Sequence, residues 1–162
     1  MSSVIYDPIK IVSGGQTGVD QGGLAAALDR GTPCGGWCPE GRQSECGVIP
    51  EIYPVCELRG ASYSGRTLCN VQDSDGTAII FCDTLEGGTQ LTTAYCIQES
   101  KPYVLIDASA IILADAGALI TNFITAHQIQ VLNVAGPRAS KWPQAQAYTQ
   151  TLLTTVLVGL GY

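Results

Sequence analysis

Short apolar runs alternate along this chain with longer segments in which apolar residues recur at helical spacing. Runs such as GTAIIFC (76–82) and VLNVA (131–135) are apolar and rich in β-branched residues, which is typical of strands buried on both faces. VDQGGLAAALDR (19–30), closed by Gly31, is typical of a helix. The pattern predicts strands at 9–13, 53–58, 76–82, 102–107 and 131–135, an extended segment at 33–38, a loop at 39–54, and helices at 19–30, 65–74, 87–100, 115–128 and 143–157.

This order of elements indicates an α/β fold. Buried strands that alternate with helices form parallel sheets, and the helices cover both faces of such a sheet. At 162 residues the chain has the length of one domain and can bury a single core. We therefore predict one domain over 1–162, a three-layer sandwich around a mostly parallel sheet.

Composition narrows the class of protein further. Hydrophobic residues make up 46% of the chain and charged residues 14%, so the chain is neither disordered nor fibrous. No apolar run approaches the roughly 20 residues needed to cross a bilayer. The first residues lack the pattern of a signal peptide. We therefore expect a soluble, cytoplasmic protein with no membrane partner.

The charged and metal-binding residues exclude further classes. A net charge of −6 argues against nucleic-acid and membrane-surface binding, which rely on basic patches. Yet Arg42, Arg66 and Arg138 lie in or beside Gly/Ser/Pro-rich loops, which indicates a local anion pocket. The seven cysteines are scattered, and the single histidine is far from the pair Cys34 and Cys38. We therefore expect reduced thiols and no structural metal.

Three glycine-rich turns each follow a predicted strand: SGGQTG (13–18), DTLEGGT (83–89) and AGPRAS (135–140). Glycine lets the backbone approach a ligand, and free N–H groups at a helix N-terminus attract anions. Ligands of open parallel sheets bind beyond the carboxyl ends of the strands. Neither GxGxxG nor GxxxxGK[ST] occurs, which disfavours an ordinary NAD site or a nucleoside triphosphatase. One such turn is more often structural, but three together predict a phosphate-binding cavity.

Several side chains near these turns have two interpretations. Thr17 and Thr89 either cap the following helices or bind the anion, and Asp20 favours the helix dipole but competes with an anion. Asp83 is expected to accept a hydrogen bond from a ribose hydroxyl or a heterocycle amine. Trp37 either packs in the core or stacks on a heterocycle.

Motifs along nearly the whole chain resemble the molybdenum carrier family. They are SGGQTGVDQGGLAAAL, GGWCPEGR, YPVCEL, GRTLCNVQDSDGTAII, LEGGTQLT, KPYVLID and LNVAGPRAS. This family lies in the Rossmann-like superfamily that also contains the lonely-guy phosphoribohydrolases, long misnamed lysine decarboxylases. The resemblance implies a Rossmann-like homo-oligomer, a dimer or tetramer, that binds molybdenum cofactor (molybdopterin) without turning it over.

The phosphoribohydrolases of that superfamily carry the motif PGGxGTxxE, whose Glu assists glycosidic cleavage. The corresponding stretch here is EGGTQLTTA (86–94), in which Glu86 replaces the Pro and Ala94 replaces the catalytic Glu. Cleavage of a glycosidic bond needs a carboxylate. The resemblance therefore weakens the expectation of enzymatic activity, which Asp83 or Glu86 would have to supply from the loop.

Three hypotheses follow. The first is a non-catalytic carrier of a small anionic, phosphate-bearing ligand, molybdenum cofactor. The second is a nucleotide-processing enzyme or sensor that acts on a nucleoside monophosphate or an ADP-ribose-like ligand, with Arg66, Asp83 and Glu86 as its catalytic residues. The third is an oligomeric structural or regulatory protein whose turns only close the sheet. The predicted ligand-binding residues are Gly14, Gly15, Gln16, Thr17, Gly18, Trp37, Arg66, Thr67, Asp83, Gly87, Gly88, Thr89, Gly136, Pro137 and Arg138.

Overall fold

Residues 8–162 are described by the structure, which is a computed structural model. Strands alternate with helices of 10–15 residues, as the apolar pattern predicts, except over 34–58, where five short strands follow one another. In chain order the elements are β1 (Lys10–Val12), α1 (Val19–Arg30), β2 (Cys34–Gly35), β3 (Trp37–Pro39), β4 (Gln43–Ser44), β5 (Gly47–Val48), β6 (Cys56–Leu58), α2 (Tyr63–Gln72), β7 (Gly76–Phe81), α3 (Gly87–Gln98), β8 (Tyr103–Asp107), α4 (Leu113–Ala126), β9 (Val131–Ala135) and α5 (Ala145–Gly159).

Five of the strands form the central sheet in the order β2-β1-β9-β7-β8, and every neighbouring pair is parallel. β9 comes last along the chain but lies between β1 and β7. The chain therefore leaves β1 toward one edge and later returns to fill the centre. In open parallel sheets such a reversal opens a crevice at the carboxyl ends of the strands.

Helices cover both faces of the sheet. On one face α1, α4 and α5 pack around a core that includes Ile80, Ile120 and Leu153, all fully buried. α2 and α3 pack against each other on the opposite face. All six residues of β7 are buried, because both of its faces are covered. The predicted α/β three-layer sandwich with a parallel sheet is confirmed. No helix within residues 8–162 is long and apolar enough to span a membrane.

The predicted helix at 19–30 and the predicted strand at 131–135 agree with α1 and β9. The predicted loop at 39–54 contains the small hairpin of β4 and β5, and the strand predicted from 53 begins at Cys56. That strand pairs with β3 in a separate two-stranded sheet. Local apolar pattern predicts a strand here, but it does not specify which sheet the strand joins.

Arg42 stabilises the segment between β3 and β6. Its guanidinium donates hydrogen bonds to backbone carbonyls of four residues, Ile49, Pro50, Tyr53 and Val55. Because the donors are taken by the loop's own carbonyls, Arg42 does not contribute to the anion pocket expected of it. The loop is also anchored by the fully buried side chain of Ile49.

Candidate functional site

A cavity of about 920 Å³ lies beyond the carboxyl ends of β1, β7 and β9. Its walls come from the turn before α1, the first turns of α2 and α3, and the segment between β9 and α5. All three glycine-rich turns thus border one space. This volume is at the upper end of the range typical of small-molecule sites.

At the turn before α1, a carboxylate of the chain itself accepts a backbone hydrogen bond. Asp20, in the first turn of α1, folds back so that its Oδ2 accepts a hydrogen bond from the Gln16 backbone N–H at 3.2 Å. The Gly15 N–H donates to the Ser13 hydroxyl, and the Thr17 N–H donates to Oε1 of Gln16. The backbone donors of this turn are therefore largely satisfied by the chain itself.

Arg66 of α2 neutralises the Asp20 carboxylate. Its Nη1 lies 3.1 Å from Asp20 Oδ2, and both side chains are at least nine-tenths buried. The guanidinium packs against Gly14, where a Cβ would come within 1.1 Å of Nη1, so any side chain at this position would displace Arg66. Burial raises the pKa of Asp20 above its ordinary value, and the Arg66 charge and the Gln16 and Gly14 N–H groups oppose that rise.

The turn between β9 and α5 also holds a carboxylate from the chain. Glu45, on the β4–β5 hairpin, accepts hydrogen bonds from the hydroxyls of Thr17 and Ser140 and from the Ser140 N–H. The Ala139 N–H donates to the Thr17 hydroxyl at 3.1 Å. The Ser140 and Thr17 hydrogen bonds lower the pKa of Glu45. Glu45 thus fastens two of the three turns to each other.

The first turn of α3 differs from both. Within residues 8–162, the N–H groups of Gly87, Gly88 and Thr89 donate no hydrogen bond, and no side chain caps the helix at Glu86. No atom lies within 4 Å of the position where a Cβ would stand on Gly87 or Gly88. The positive end of a 12-residue helix therefore faces open space in the cavity wall.

Two guanidinium groups meet at Tyr63 beside this space. The guanidinium carbon of Arg66 is 5.7 Å, and that of Arg138 5.5 Å, from the centre of the Tyr63 ring. Arg138 donates no hydrogen bond to a residue in the described part of the chain. Nη2 of Arg66 donates none there either, whereas its Nε is buried without a partner. Arg138 and Nη2 of Arg66 are therefore the guanidinium donors open to a ligand.

The structure brings together most, but not all, of the predicted binding residues. Trp37 is held elsewhere, because its indole N–H donates to Asp73 at 2.7 Å. The Thr17 hydroxyl is used by Glu45 and Ala139, as described above. The predicted residues that line the cavity are Gly14, Gln16, Arg66, Thr67, Glu86, Gly87, Gly88, Thr89, Gly136, Pro137 and Arg138, and those outside its lining are Gly15, Thr17, Gly18, Trp37 and Asp83.

Some cavity residues escaped the sequence analysis. Tyr63, Asn133, Lys141 and Trp142 line the wall and were not among the predicted residues. The spacing gives a usable signal for Lys141 and Trp142, which follow directly after the AGPRAS turn. The ring of Trp142 lies 5.2 Å from that of Tyr148 at a tilt of 48°. The tryptophan that borders the cavity is therefore Trp142 and not Trp37.

Residues 8–162 contain no group of three or more His, Cys, Asp or Glu side chains that would hold a metal ion. Their cysteines are all free thiols, and Cys82 is the one that lines the cavity. The charged side chains of the cavity wall are the guanidinium groups of Arg66 and Arg138, the amine of Lys141, and the carboxyl groups of Asp20 and Glu86. Together with the parallel sheet, these features define a Rossmann-like α/β protein with a cavity at its strand ends, lined in part by arginines and the first turn of α3.

Comparison with known proteins places the chain in a family. Residues 11–157 match the Circularly permutated YpsA SLOG family, and the chain belongs to that family. Its structure is similar to the crystal structure of a protein from Syntrophus aciditrophicus SB named "Putative molybdenum carrier protein", with a TM-score of 0.90. The two sequences are 46% identical over 93% of this chain and 96% of that one. No curated protein matches this chain.

Proposed function

We propose that this protein binds and carries a small anionic, phosphate-bearing ligand, and that the ligand is molybdenum cofactor. The observation that carries the proposal is the first turn of α3, where the Gly87, Gly88 and Thr89 N–H groups face a cavity without an acceptor. The similar protein from Syntrophus aciditrophicus SB, whose name refers to a molybdenum carrier, supports the choice of ligand.

The cavity wall fits the chemistry of such a ligand. A phosphate at the N-terminus of α3 would accept hydrogen bonds from backbone N–H groups and gain from the helix dipole. Arg138 and Lys141 lie on the same wall and would neutralise its charge. Trp142 offers an aromatic surface on which a planar heterocycle would pack. Anion, charge and ring each therefore have a matching group.

Binding of the cofactor by the purified protein tests this proposal. We expect saturable binding, and we expect Arg138→Ala to weaken it about tenfold to a hundredfold, because hydrogen bonds to charged groups are worth about 1.5–3 kcal/mol. Arg59→Ala is the matched control, since Arg59 is exposed and outside the cavity lining. Equal affinity of Arg138→Ala and Arg59→Ala, or no saturable binding, would reject the proposal.

The alternative is a nucleotide-processing activity in the same cavity. One observation favours it: Glu86 lies in the cavity wall directly before the free N–H groups of α3. A carboxylate there would be placed beside a bound phosphate ester, although Ala94 stands at the position of the catalytic Glu of the phosphoribohydrolase motif. Release of free base from a panel of nucleoside monophosphates, abolished by Glu86→Gln, would favour the enzyme over the carrier.

A further inference from the structure

The buried carboxylate of Asp20 lies in the wall of the same cavity, and carrying a ligand gives it no evident role. Its side chain is 8% exposed, and its one charged partner is Arg66, whose side chain is 10% exposed. The other donor to Oδ2 is the neutral Gln16 N–H. The ionised form of Asp20 therefore depends on a single guanidinium.

That guanidinium is also a donor that a ligand would use. Its Nη1 pairs with Asp20, but its Nη2 donates no hydrogen bond in residues 8–162, and the residue lines the cavity beside Tyr63. An anion that enters the cavity is attracted to Arg66 as well as to Arg138. Arg66 would then face two negative charges, one of them in a buried position.

Two like charges that share one counter-ion at a poorly solvated wall disfavour each other's ionised form. Protonation of Asp20 removes that repulsion and leaves its hydrogen bond with the Gln16 N–H possible. We infer that binding of an anion in this cavity is coupled to the uptake of one proton by Asp20, so that anion affinity falls as the pH rises. This inference rests on the proposed function, since it requires that an anion binds here.

The surroundings of Asp20 favour this proton uptake. Burial already raises the pKa of Asp20, so a smaller further rise on anion binding is needed to protonate it. Of the ionisable side chains on the cavity wall, only Arg66 pairs with Asp20 in the described structure. The others are Tyr63 of α2, Cys82 after β7, Glu86 before α3, and Arg138 and Lys141 after β9.

Calorimetric titration with sulfate, which stays a dianion throughout, tests the inference between about pH 5 and pH 8. We expect sulfate affinity to fall by up to about tenfold per pH unit within the window between the pKa values of free and bound protein. Titrations in two buffers of different ionisation enthalpy should report uptake of up to one proton. Asp20→Asn should bind sulfate with an affinity that does not change with pH.

Glu57→Gln is the matched control, since Glu57 is exposed and outside the cavity lining, and it should keep the slope of the native protein. Loss of the slope in Glu86→Gln but not in Asp20→Asn would assign the proton to Glu86 and overturn the inference. If Asp20→Asn does not fold, infrared difference spectra of the native protein serve instead, and a protonated carboxyl band should grow on addition of sulfate. Binding of sulfate without proton uptake would overturn the inference and leave the proposed function standing. If neither sulfate nor pyrophosphate binds at any pH, the inference and the proposed anion site fail together.

Discussion

The turns before α1 and α3 look alike in sequence but differ in what they offer a ligand. Both follow a parallel strand, both contain paired glycines, and both open a 12-residue helix. The first is filled by the chain's own Asp20, which accepts the Gln16 N–H and pairs with Arg66. The second leaves three N–H groups without an acceptor in the described structure. The turn before α1 therefore holds an internal ion pair, and the turn before α3 is a candidate anion site.

The difference comes from one residue type at one place. α1 has an acid in its first turn and α3 has none. A short carboxylate at that place folds back onto the preceding amides, satisfies them and competes with any external anion. Where a glycine-rich turn is followed by an acid in the first helical turn, we therefore expect the carboxylate of that acid to accept the hydrogen bonds of the turn's N–H groups.

The largest expected effect comes from removing the partner of the internal anion. Arg66→Ala should lower the free energy of unfolding by about 3–5 kcal/mol at neutral pH, because it leaves the Asp20 carboxylate buried and unpaired. Urea unfolding measures this loss. Arg138→Ala, a half-buried arginine on the same wall, should change stability by less than about 1 kcal/mol. Equal losses in the two variants would contradict the assignment of Arg66 to an internal ion pair.

A smaller but substantial loss is expected from Gly18→Ala. Gly18 has a φ of 82°, and a Cβ there would come within 2.5 Å of the backbone oxygen of Pro137. Both the left-handed backbone and the contact with another backbone segment resist a side chain. We expect a loss of about 2–4 kcal/mol in urea unfolding, with the thermal midpoint lowered accordingly. An unchanged midpoint would show that this turn tolerates a shift away from Pro137.

The two internal carboxylates should respond to pH with opposite sign. Glu45 has a lowered pKa, so its contribution is complete above its ordinary value of 4.5 and is lost as the pH falls through the lower folded value. Asp20 has a raised pKa, so its contribution is complete below its ordinary value of 3.8 and is lost as the pH rises through the raised value. Acidification should therefore weaken the hydrogen bonds of Glu45 to Thr17 and Ser140, and it should remove the destabilisation caused by the buried, ionised Asp20.

Thermal midpoints of Glu45→Gln and the native protein between about pH 3 and pH 6 test the first sign. The stability difference should shrink toward acid, and it should amount to no more than about 1 kcal/mol, because Glu45 is partly exposed and water screens its interactions. A difference that grows on acidification would mean that the carboxylate is not held in its ionised form by Ser140 and Thr17.

The sequence predicts the layers of this fold well because they depend on local signals. Apolar runs and glycine-closed helices are read directly from neighbouring residues, and the rule that ligands bind at strand ends locates the cavity. Tertiary contacts are not encoded in that way. Glu45 and Ser140 are 95 residues apart in sequence, and no local pattern predicts that Glu45 of the β4–β5 hairpin accepts a hydrogen bond from the turn after β9. The sequence offers Trp37 as an aromatic ligand contact, but Trp37 lies in the separate β3–β6 sheet and its indole N–H donates to Asp73.

The smallest effect on stability, and the sharpest test of the comparison, is expected from Gly88→Ala. Gly88 is exposed in the first turn of α3, and a Cβ would meet no atom within 4 Å. Stability should stay within about 0.5 kcal/mol or rise by up to about 1 kcal/mol, since Ala favours a helix over Gly. Because the Cα–Cβ bond of a helical residue tilts toward the helix N-terminus, the added methyl group would nevertheless stand on the side of the free N–H groups.

Gly88→Ala should therefore separate stability from binding, in contrast to Gly18→Ala. Cofactor or sulfate affinity should fall by about tenfold or more, because a methyl group at the seat keeps the anion from close contact with the N–H donors. Circular dichroism during thermal unfolding checks stability, and calorimetry checks affinity. If Gly88→Ala binds as tightly as the native protein, the anion does not bind at α3. Neither turn would then bind the ligand, and the free N–H groups of α3 would be a structural difference from α1 without a functional one.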